Sequence, residues 1–160
     1  MKVALGSDHR GLPVSQALQH HLKADGHEVL VLGECTGSPC DYPDAAYQVG
    51  SAVAAGRAER GILICGTGIG MCIAANKVAG IRAALAQDEL SAQLSRTHND
   101  ANILCLSADL LGQTLVKRIV DIWFRTGFEG GRHERRIRKI SLIEQGVDPS
   151  TANGAAPRRP

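Results

Sequence analysis

Five short apolar runs recur along the chain, each followed by a longer segment of helical character, and this alternation restricts the fold more than any other feature. The runs cover Lys2–Ser7, Glu28–Leu32, Gly61–Cys65, Arg82–Ala86 and Asn102–Ser107. Strands separated by helices are typical of a parallel sheet, because parallel neighbours need a long crossover connection. We therefore predict an α/β protein with a five-stranded parallel sheet and helices on both faces.

The segments between and after the runs predict six helices. Their expected bounds are Pro13–Asp25, Asp44–Arg57, Gly70–Val78, Asp88–Thr97, Gln113–Thr126 and Arg132–Gln145. A chain of 160 residues suits one domain, which we place at residues 1–146. Residues 147–160 lack an apolar period, and we expect a disordered tail there.

Composition and charge argue against several classes of function. The net charge is +2 and the aromatic fraction 3%, which is neither the basic field nor the stacking surface of a nucleic-acid binder. No apolar run reaches the roughly 18 residues of a membrane span, and no signal-peptide layout precedes the first run. We expect a cytoplasmic protein with no nucleic-acid and no membrane partner.

The cysteines and histidines give no sign of a metal centre. The five cysteines are odd in number and contain no Cys-x-x-Cys pair, so we expect reduced thiols. No His, Cys or carboxylate spacing resembles a zinc site. We expect no metal and no cofactor.

A glycine-rich loop follows the third run directly. Residues 61–77 read GILICGTGIGMCIAANK, with Gly66, Gly68 and Gly70 between a strand and a helix. Glycines let the backbone approach a ligand closely, and amides that precede a helix point toward negative charge. The loop therefore predicts an oxyanion site. A dinucleotide site is the alternative, but the spacing is not Gly-x-Gly-x-x-Gly and the Lys-Ser/Thr ending of a P-loop is absent.

Cys65 lies between this strand and the glycine loop. Open α/β sheets bind ligands at the carboxyl ends of their strands, and a helix N-terminus favours the thiolate form of a nearby thiol. Both effects predict a base or a nucleophile. A buried cysteine that packs as a small hydrophobe is the alternative, and it is our interpretation of Cys72 and Cys105.

Two polar clusters adjoin other strands. Asp8, His9 and Arg10 follow the first run, where they would emerge beside the ligand site; a solvated loop with Asp8 capping the next helix is the alternative. His98 and Asn99 precede the last run. They could exchange protons and bind hydroxyls, or form a turn of hydrogen-bonding residues.

The last predicted helix begins with a basic run. Residues 132–139 carry five formal cations, among them Arg132 and Arg136 four positions apart on one helical face. Such a pair suits bidentate capture of a phosphate, whereas a solvated basic face is the ordinary alternative. Because a glycine-rich linker precedes this helix, it could leave its own subunit and pack on another.

Six motifs resemble, in order and spacing, the type B ribose-5-phosphate isomerase family, which also contains isomerases of galactose 6-phosphate. They are Gly6–His9, Asp41–Pro43, Cys65–Met71, Ala74–Lys77, His98–Asn102 and Arg132–Arg136. The resemblance covers about residues 2–145. It implies a Rossmann-like three-layer sandwich, a homodimer or dimer of dimers, active sites shared between subunits, and a C-terminal helix that packs on a partner subunit.

The resemblance also implies an aldose-ketose isomerase, with D-ribose 5-phosphate and D-ribulose 5-phosphate as the leading substrate pair. Cys65 is similar to the base that moves a proton between the first two sugar carbons, and His98 to the group that opens the furanose ring, aided by Asp8. Thr67 completes the expected catalytic set. The expected substrate-binding residues are His9, Arg10, Tyr42, Gly66, Gly68, Ile69, Gly70, Asn99, Arg132 and Arg136.

The chain departs from the family pattern at three positions. Met71 stands where some members have a glutamate base, which places this chain with the cysteine subset. Arg10 stands where the family usually has alanine, and Asp109 where it often has an arginine near the phosphate. We hypothesise that Arg10 replaces the lost positive charge and pairs with Asp109. The alternatives are an isomerase of a four- or six-carbon sugar phosphate, a non-catalytic sugar-phosphate binding protein, and a dinucleotide-dependent oxidoreductase.

Overall fold

Five strands form where the apolar runs lie, in a computed structural model that describes residues 1–33 and 38–151. They are β1 Lys2–Ser7, β2 Glu28–Val31, β3 Arg60–Cys65, β4 Ala83–Leu85 and β5 Ile103–Ser107. Every neighbouring pair is parallel, and the order across the sheet is β2-β1-β3-β5-β4. The predicted parallel sheet is therefore confirmed. All carboxyl ends share one edge, and the strand order reverses between β1 and β3, which is where open α/β sheets bind ligands.

Six helices accompany the strands in the described part of the chain. They are α1 Leu12–Ala24, α2 Tyr42–Ala54, α3 Ile69–Ala75, α4 Glu89–Thr97, α5 Gln113–Arg125 and α6 Arg132–Glu144. Residues of α1, α4 and α5 share one apolar cluster with the sheet. Residues of α2 and α3 share a second cluster with the other face. The predicted three-layer sandwich is confirmed.

The two clusters explain why the strands read as continuous apolar runs. In β1, Val3 and Leu5 belong to one cluster and Ala4 to the other, because successive side chains of a strand point to opposite faces. Both faces are covered by helices, so the interior of the strand from Val3 to Leu5 carries only apolar side chains. The largest buried side chain is Trp123 of α5, whose indole Nε1 donates to Ser95 Oγ of α4 at 3.2 Å.

Helix α3 ends earlier than its sequence pattern predicts. Asn76 is the C-cap, and its side-chain amide donates to the carbonyl oxygens of Cys72 and Ala83, each at 2.9 Å. The Asn76 Oδ1 accepts from the amide of Ala83 at 2.9 Å. The predicted end at Val78 is wrong because one asparagine both ends the helix and attaches it to the start of β4.

Helix α6 buries little of its surface in this subunit. His133 is its one buried residue, whereas Ile140 and Ile143 are 44% and 60% exposed. The expected packing on a partner subunit stays a prediction. The chain then turns through residues 147–151, where the Lys139 ammonium donates to the Pro149 carbonyl at 2.8 Å; the rest of the expected tail lies outside the described residues.

Two further expectations concern the chain as a whole. Within residues 1–33 and 38–151, no helix combines the length and the apolar character that crossing a membrane requires. Cys65, Cys72 and Cys105 are free thiols, as expected. Cys40 is disulfide-bonded, which corrects the expectation of a reduced thiol there; an odd cysteine count does not exclude a disulfide.

Candidate active site

The glycine loop and the first polar cluster meet where the strand order reverses. Strands β1 and β3 pair so that Ser7 lies opposite Ile64, and the amide of Asp8 donates to the Ile64 carbonyl at 3.1 Å. Asp8 and Cys65 therefore leave adjacent strands at the same edge. The structure therefore places these two predicted clusters side by side.

Cys65 lies at the end of β3 and is only 4% exposed. Its sulfur accepts a hydrogen bond from the backbone amide of Gly68 at 3.1 Å. An N–H group directed at sulfur stabilises negative charge on it. The thiol is therefore at the inner wall of the loop, facing a peptide donor.

A left-handed residue directs that amide inward. Gly68 is the N-cap of α3 with φ +77°, a conformation that favours glycine. A Cβ there would lie 2.6 Å from Leu85 Cδ1 and 3.0 Å from the Leu106 carbonyl. The next amide, of Ile69, donates to Thr67 Oγ1 at 3.3 Å. The amides of Gly68 and Ile69 therefore bond within the loop, and the predicted oxyanion site depends on the other loop amides.

Ser107, at the end of β5, anchors the glycine loop by hydrogen bonds. It is not among the site residues predicted from the sequence. Ser107, fully buried, donates from Oγ to the Gly66 carbonyl at 2.6 Å and accepts from the amide of Leu110 at 3.0 Å. The amides of Ala108 and Asp109 donate to the carbonyls of Cys65 and Gly66 at 2.9 and 3.0 Å. A serine at a strand end, in register with Cys65, is the signal that could have identified it.

Asp8 organises the turn after β1 instead of capping a helix. Its buried carboxylate accepts from the amides of Arg10 and Gly11 at 3.0 and 2.8 Å. The N-cap of α1 is Gly11, without a side-chain cap. The alternative interpretation of Asp8 as a helix cap is therefore wrong, and its carboxylate instead fixes the backbone of Arg10.

Arg10 and Asp109 form the ion pair that the sequence analysis hypothesised. Arg10 Nη2 donates to Asp109 Oδ2 at 2.7 Å, and Arg10 Nε to Asp109 Oδ1 at 3.4 Å. The pair covers Gly66, where a Cβ would lie 2.8 Å from Asp109 Oδ2 and 3.0 Å from Arg10 Nε. It forms part of the rim of the site.

His9 and Tyr42 complete this side of the site. His9 is exposed, and its Nδ1 accepts from the amide of Cys40 at 3.3 Å. Tyr42 begins α2 and lies against the loop, because a Cβ on Gly70 would be 2.6 Å from its ring. The structure thus brings together, as predicted, Asp8, His9, Arg10, Tyr42, Cys65, Gly66, Thr67, Gly68, Ile69 and Gly70.

Two other thiols lie behind the loop. Cys72 of α3 has a pKa lowered to about 7, chiefly because the Cys105 thiol donates a hydrogen bond to it. That same contact and burial raise the pKa of Cys105. The two cysteines pack between α3 and the sheet, as expected.

His98 and Asn99 lie at the opposite edge of the sheet. Helix α4 starts after the carboxyl end of β4 and returns the chain to the start of β5. Arg82, which precedes β4, accordingly donates from Nε to the Asn99 carbonyl at 3.1 Å. A six-residue strand such as β3 separates the two edges by roughly 17 Å. One subunit therefore does not bring His98 to Cys65.

The N-terminus of α6 lies beside His98. The rings of His98 and His133 stack, with centroids 4.2 Å apart and planes 4° from parallel. Arg132 Nε donates to His133 Nε2 at 3.3 Å. Burial lowers the pKa of His133, and the positive groups His98, Arg132 and Arg136 lower it further, while Glu129 opposes them. The expected residues His98, Asn99, Arg132 and Arg136 thus form a second group, apart from Cys65.

Two clusters in the described ranges bring histidine and carboxylate atoms within 4.8 Å of one another. One consists of His98, Glu129 and His133, but parallel stacked rings do not direct their nitrogen lone pairs at a common ion. In the other, His21 Nε2 lies 2.7 Å from Asp121 Oδ1 and 3.7 Å from Asp25 Oδ2. The shorter contact is a histidine-carboxylate hydrogen bond that joins α1 to α5.

Comparison with known proteins agrees with this geometry. The family described as Ribose/Galactose Isomerase matches residues 3–140. The chain belongs to that family.

Relatives within the family are similar over nearly their whole length. Ribose-5-phosphate isomerase B of Escherichia coli K12 is 48% identical over 144 residues, which are 90% of this chain and 97% of the relative. The D-erythrulose-4-phosphate isomerase of Pectobacterium atrosepticum is 40% identical over 145 residues, or 90% and 95% of the two chains.

Solved structures of family members confirm the fold. Clostridium thermocellum ribose-5-phosphate isomerase B superposes with a TM-score of 0.90 at 46% identity, over 91% of this chain and 99% of that one. The Mycoplasma genitalium enzyme with bound ribulose-5-phosphate gives 0.87 at 42% identity, over 91% and 97%. The chain is accordingly an enzyme of the aldose-ketose isomerase class, acting on a sugar phosphate.

Proposed function

We propose that this isomerase interconverts D-ribose 5-phosphate and D-ribulose 5-phosphate, with the Cys65 thiolate as the base. The observation that carries the proposal is the 3.1 Å hydrogen bond from the Gly68 amide to the Cys65 sulfur, at the edge of the sheet where strand order reverses. A base held by a peptide donor beside a glycine loop is what proton transfer next to a carbonyl requires.

The reaction proceeds through an enediolate. The thiolate removes the C2 proton of the open-chain aldose, and negative charge develops on the oxygens of C1 and C2. The resulting thiol, whose proton can exchange with solvent, then delivers a proton to C1. The hydroxyl proton passes from O2 to O1, so atoms balance without any added reactant. Loop amides other than those of Gly68 and Ile69 supply donors to the enediolate, while Thr67, Tyr42 and Asn99 hold the sugar hydroxyls.

Ring opening needs an acid-base group beside the ring oxygen, and His98 serves as that group. Since His98 lies at the other edge of its own sheet, the His98 that meets Cys65 belongs to a second subunit. Asn99, Arg132 and Arg136 lie with His98 and arrive with it. Asp8 aids the step from the side of Cys65, and Arg132 and Arg136 bind the phosphate.

A homodimer with shared active sites follows from the separation of His98 from Cys65 within one subunit. Exposed apolar side chains give the subunit a surface to bury: Ile69 and Ile73 of α3 are 50% and 59% exposed, and Leu90 and Leu94 of α4 are also exposed. Each pair is four residues apart on its helix, so each forms a ridge. Packing these ridges and α6 against a partner removes the apolar surface from water. The cytoplasmic location belongs to the same proposal, because the relatives are named as isomerases of sugar phosphates.

A four-carbon substrate is the second candidate, since one relative at 40% identity is named for D-erythrulose 4-phosphate. A coupled assay with four-, five- and six-carbon aldose phosphates under the same conditions tests the proposal. We expect kcat/KM to be highest for D-ribose 5-phosphate. A higher kcat/KM for another sugar phosphate would make that sugar phosphate the substrate. Binding of these sugar phosphates without turnover of any of them would show that the protein is a sensor and not an enzyme.

A further inference from the structure

An arginine-carboxylate pair stands over the first residue of the glycine loop. Arg10 Nη2 lies 2.7 Å from Asp109 Oδ2. A Cβ built on Gly66 would lie 2.8 Å from Asp109 Oδ2 and 3.0 Å from Arg10 Nε. Gly66 follows Cys65 directly. Whatever binds against this loop from the solvent side meets the Arg10–Asp109 pair.

The backbone of each partner is tied to the site. Asp109 donates its amide to the Gly66 carbonyl at 3.0 Å, and Arg10 donates its amide to Asp8 Oδ1 at 3.0 Å. The side chain of Arg10 is therefore held at both ends, by Asp8 at its backbone and by Asp109 at its guanidinium. A guanidinium fixed in this way loses little further freedom when it binds an anion.

Stability alone does not account for the pair. The side chains of Arg10 and Asp109 are 59% and 36% exposed, and ion pairs this open contribute little to folding. Asp8 and Asp109 are both carboxylates close to the loop, and by themselves they would repel an anionic substrate. Arg10 offsets that charge, and a guanidinium has more N–H donors than the two that Asp109 accepts.

We propose that Arg10, oriented by Asp109, binds the phosphate of the sugar from the same subunit as Cys65. The site then holds the phosphate dianion by guanidinium groups from two subunits, Arg10 on one side and Arg132 with Arg136 on the other. Asp109 acts through Arg10 as a positioning residue. The inference rests on the proposed isomerase function and adds to it a phosphate contact specific to this chain.

The test is a double-mutant cycle on Arg10 and Asp109 with steady-state kinetics. Arg10→Ala raises KM for the sugar phosphate about tenfold or more, because it removes a charge-assisted contact, while kcat falls by less than about threefold. Asp109→Ala in the Arg10→Ala background lowers KM again, since the carboxylate left alone repels phosphate. Arg10→Lys gives an intermediate KM, because the positive charge remains but the bidentate hydrogen bonding of the guanidinium is lost.

Titration with inorganic phosphate separates this inference from the proposed function. The Kd for phosphate rises in Arg10→Ala and stays at the wild-type value in Arg57→Ala, a control at an exposed arginine after α2. If the wild type isomerises no sugar phosphate, the proposed function fails, and the phosphate titration still decides the role of Arg10. Equal phosphate affinity in Arg10→Ala and Arg57→Ala, or a higher KM after the second substitution in the cycle, would overturn the inference.

Discussion

The backbone amide of Gly68 donates a hydrogen bond to the sulfur of Cys65 across three residues of chain, at 3.1 Å. The contact depends on the left-handed conformation of Gly68 and on a loop held from below by Ser107. It links the two things that the proposed reaction needs, a base and a donor for negative charge.

Gly68→Ala tests the loop conformation. An alanine is strained at φ +77° and its Cβ would lie 2.6 Å from Leu85 Cδ1, so we expect a loss of about 1–3 kcal/mol in unfolding free energy and a fall in kcat of at least about tenfold. Denaturant unfolding and steady-state kinetics measure both.

Gly26→Ala is the matched control for that change. Gly26 has φ +80° with nothing within 4 Å of its Cβ position, and it lies after α1, away from the site. It should cost about 1–2 kcal/mol from backbone strain and leave kcat at the wild-type value. Equal kcat values in the two variants would show that the geometry of the loop does not matter for turnover.

The contact between Tyr42 and Gly70 should appear as an energetic coupling. Gly70→Ala places a Cβ 2.6 Å from the Tyr42 ring, and because that side chain is 41% exposed it can turn away with little loss of stability. We expect KM to rise about fivefold, corresponding to a coupling of about 1 kcal/mol. In a Tyr42→Ala background the same substitution should change KM no further; independent, additive effects would contradict the assigned contact.

Acid should weaken the packing of His133. Its pKa is lowered by burial first, then by His98, Arg132 and Arg136 against the opposing Glu129. The folded protein therefore binds this proton less readily than the unfolded chain does, so the stabilising contribution is complete above the ordinary histidine pKa of about 6.5 and is lost as pH falls below it. Thermal unfolding between pH 7.5 and pH 5 measures the effect.

His133→Phe retains the stacked ring and removes the titration. Between pH 7.5 and pH 5, the Tm of the wild type should fall further than the Tm of this variant, because only the wild type must take up a proton at this buried position. Parallel Tm curves for the two proteins would show that His133 does not contribute to the pH dependence.

The architecture was predictable because it depends on local patterns. Short apolar runs, helical periods and the glycine loop each follow from residues close in sequence, and they sufficed to place Cys65 and Asp8 at one edge. The Arg10–Asp109 pairing was predictable from the family resemblance, because the two positions depart from its pattern with opposite charges.

What was missed depends on contacts between distant parts of the chain. The end of α3 is determined by Asn76 reaching Ala83 of β4, and the loop is held by Ser107, 41 residues from Gly66. The direction of the Gly68 amide depends on a left-handed turn that the glycine permits but does not require. Likewise, the stacking of His98 on His133 arises only when α4 and the start of α6 meet at the amino edge.

Mixing two inactive variants tests whether the active site is shared. If Cys65 and His98 of one site come from different subunits, a hybrid of Cys65→Ala and His98→Ala subunits contains one site with both residues intact. Random exchange of subunits should then restore roughly a quarter of wild-type activity. A mixture that stays inactive after subunit exchange, shown by mass spectrometry to contain hybrids, would place the whole site within one subunit.

The most direct test of the account is the exchange of the C2 hydrogen of the sugar phosphate with solvent deuterium, followed by NMR in wild type, Cys65→Ala and the control Cys72→Ala. We predict that Cys65→Ala slows this exchange by at least about a thousandfold while its Kd for a phosphorylated sugar acid stays within about twofold of wild type, and that Cys72→Ala exchanges as wild type does. Exchange at the wild-type rate in Cys65→Ala would contradict the assignment of this thiol as the base.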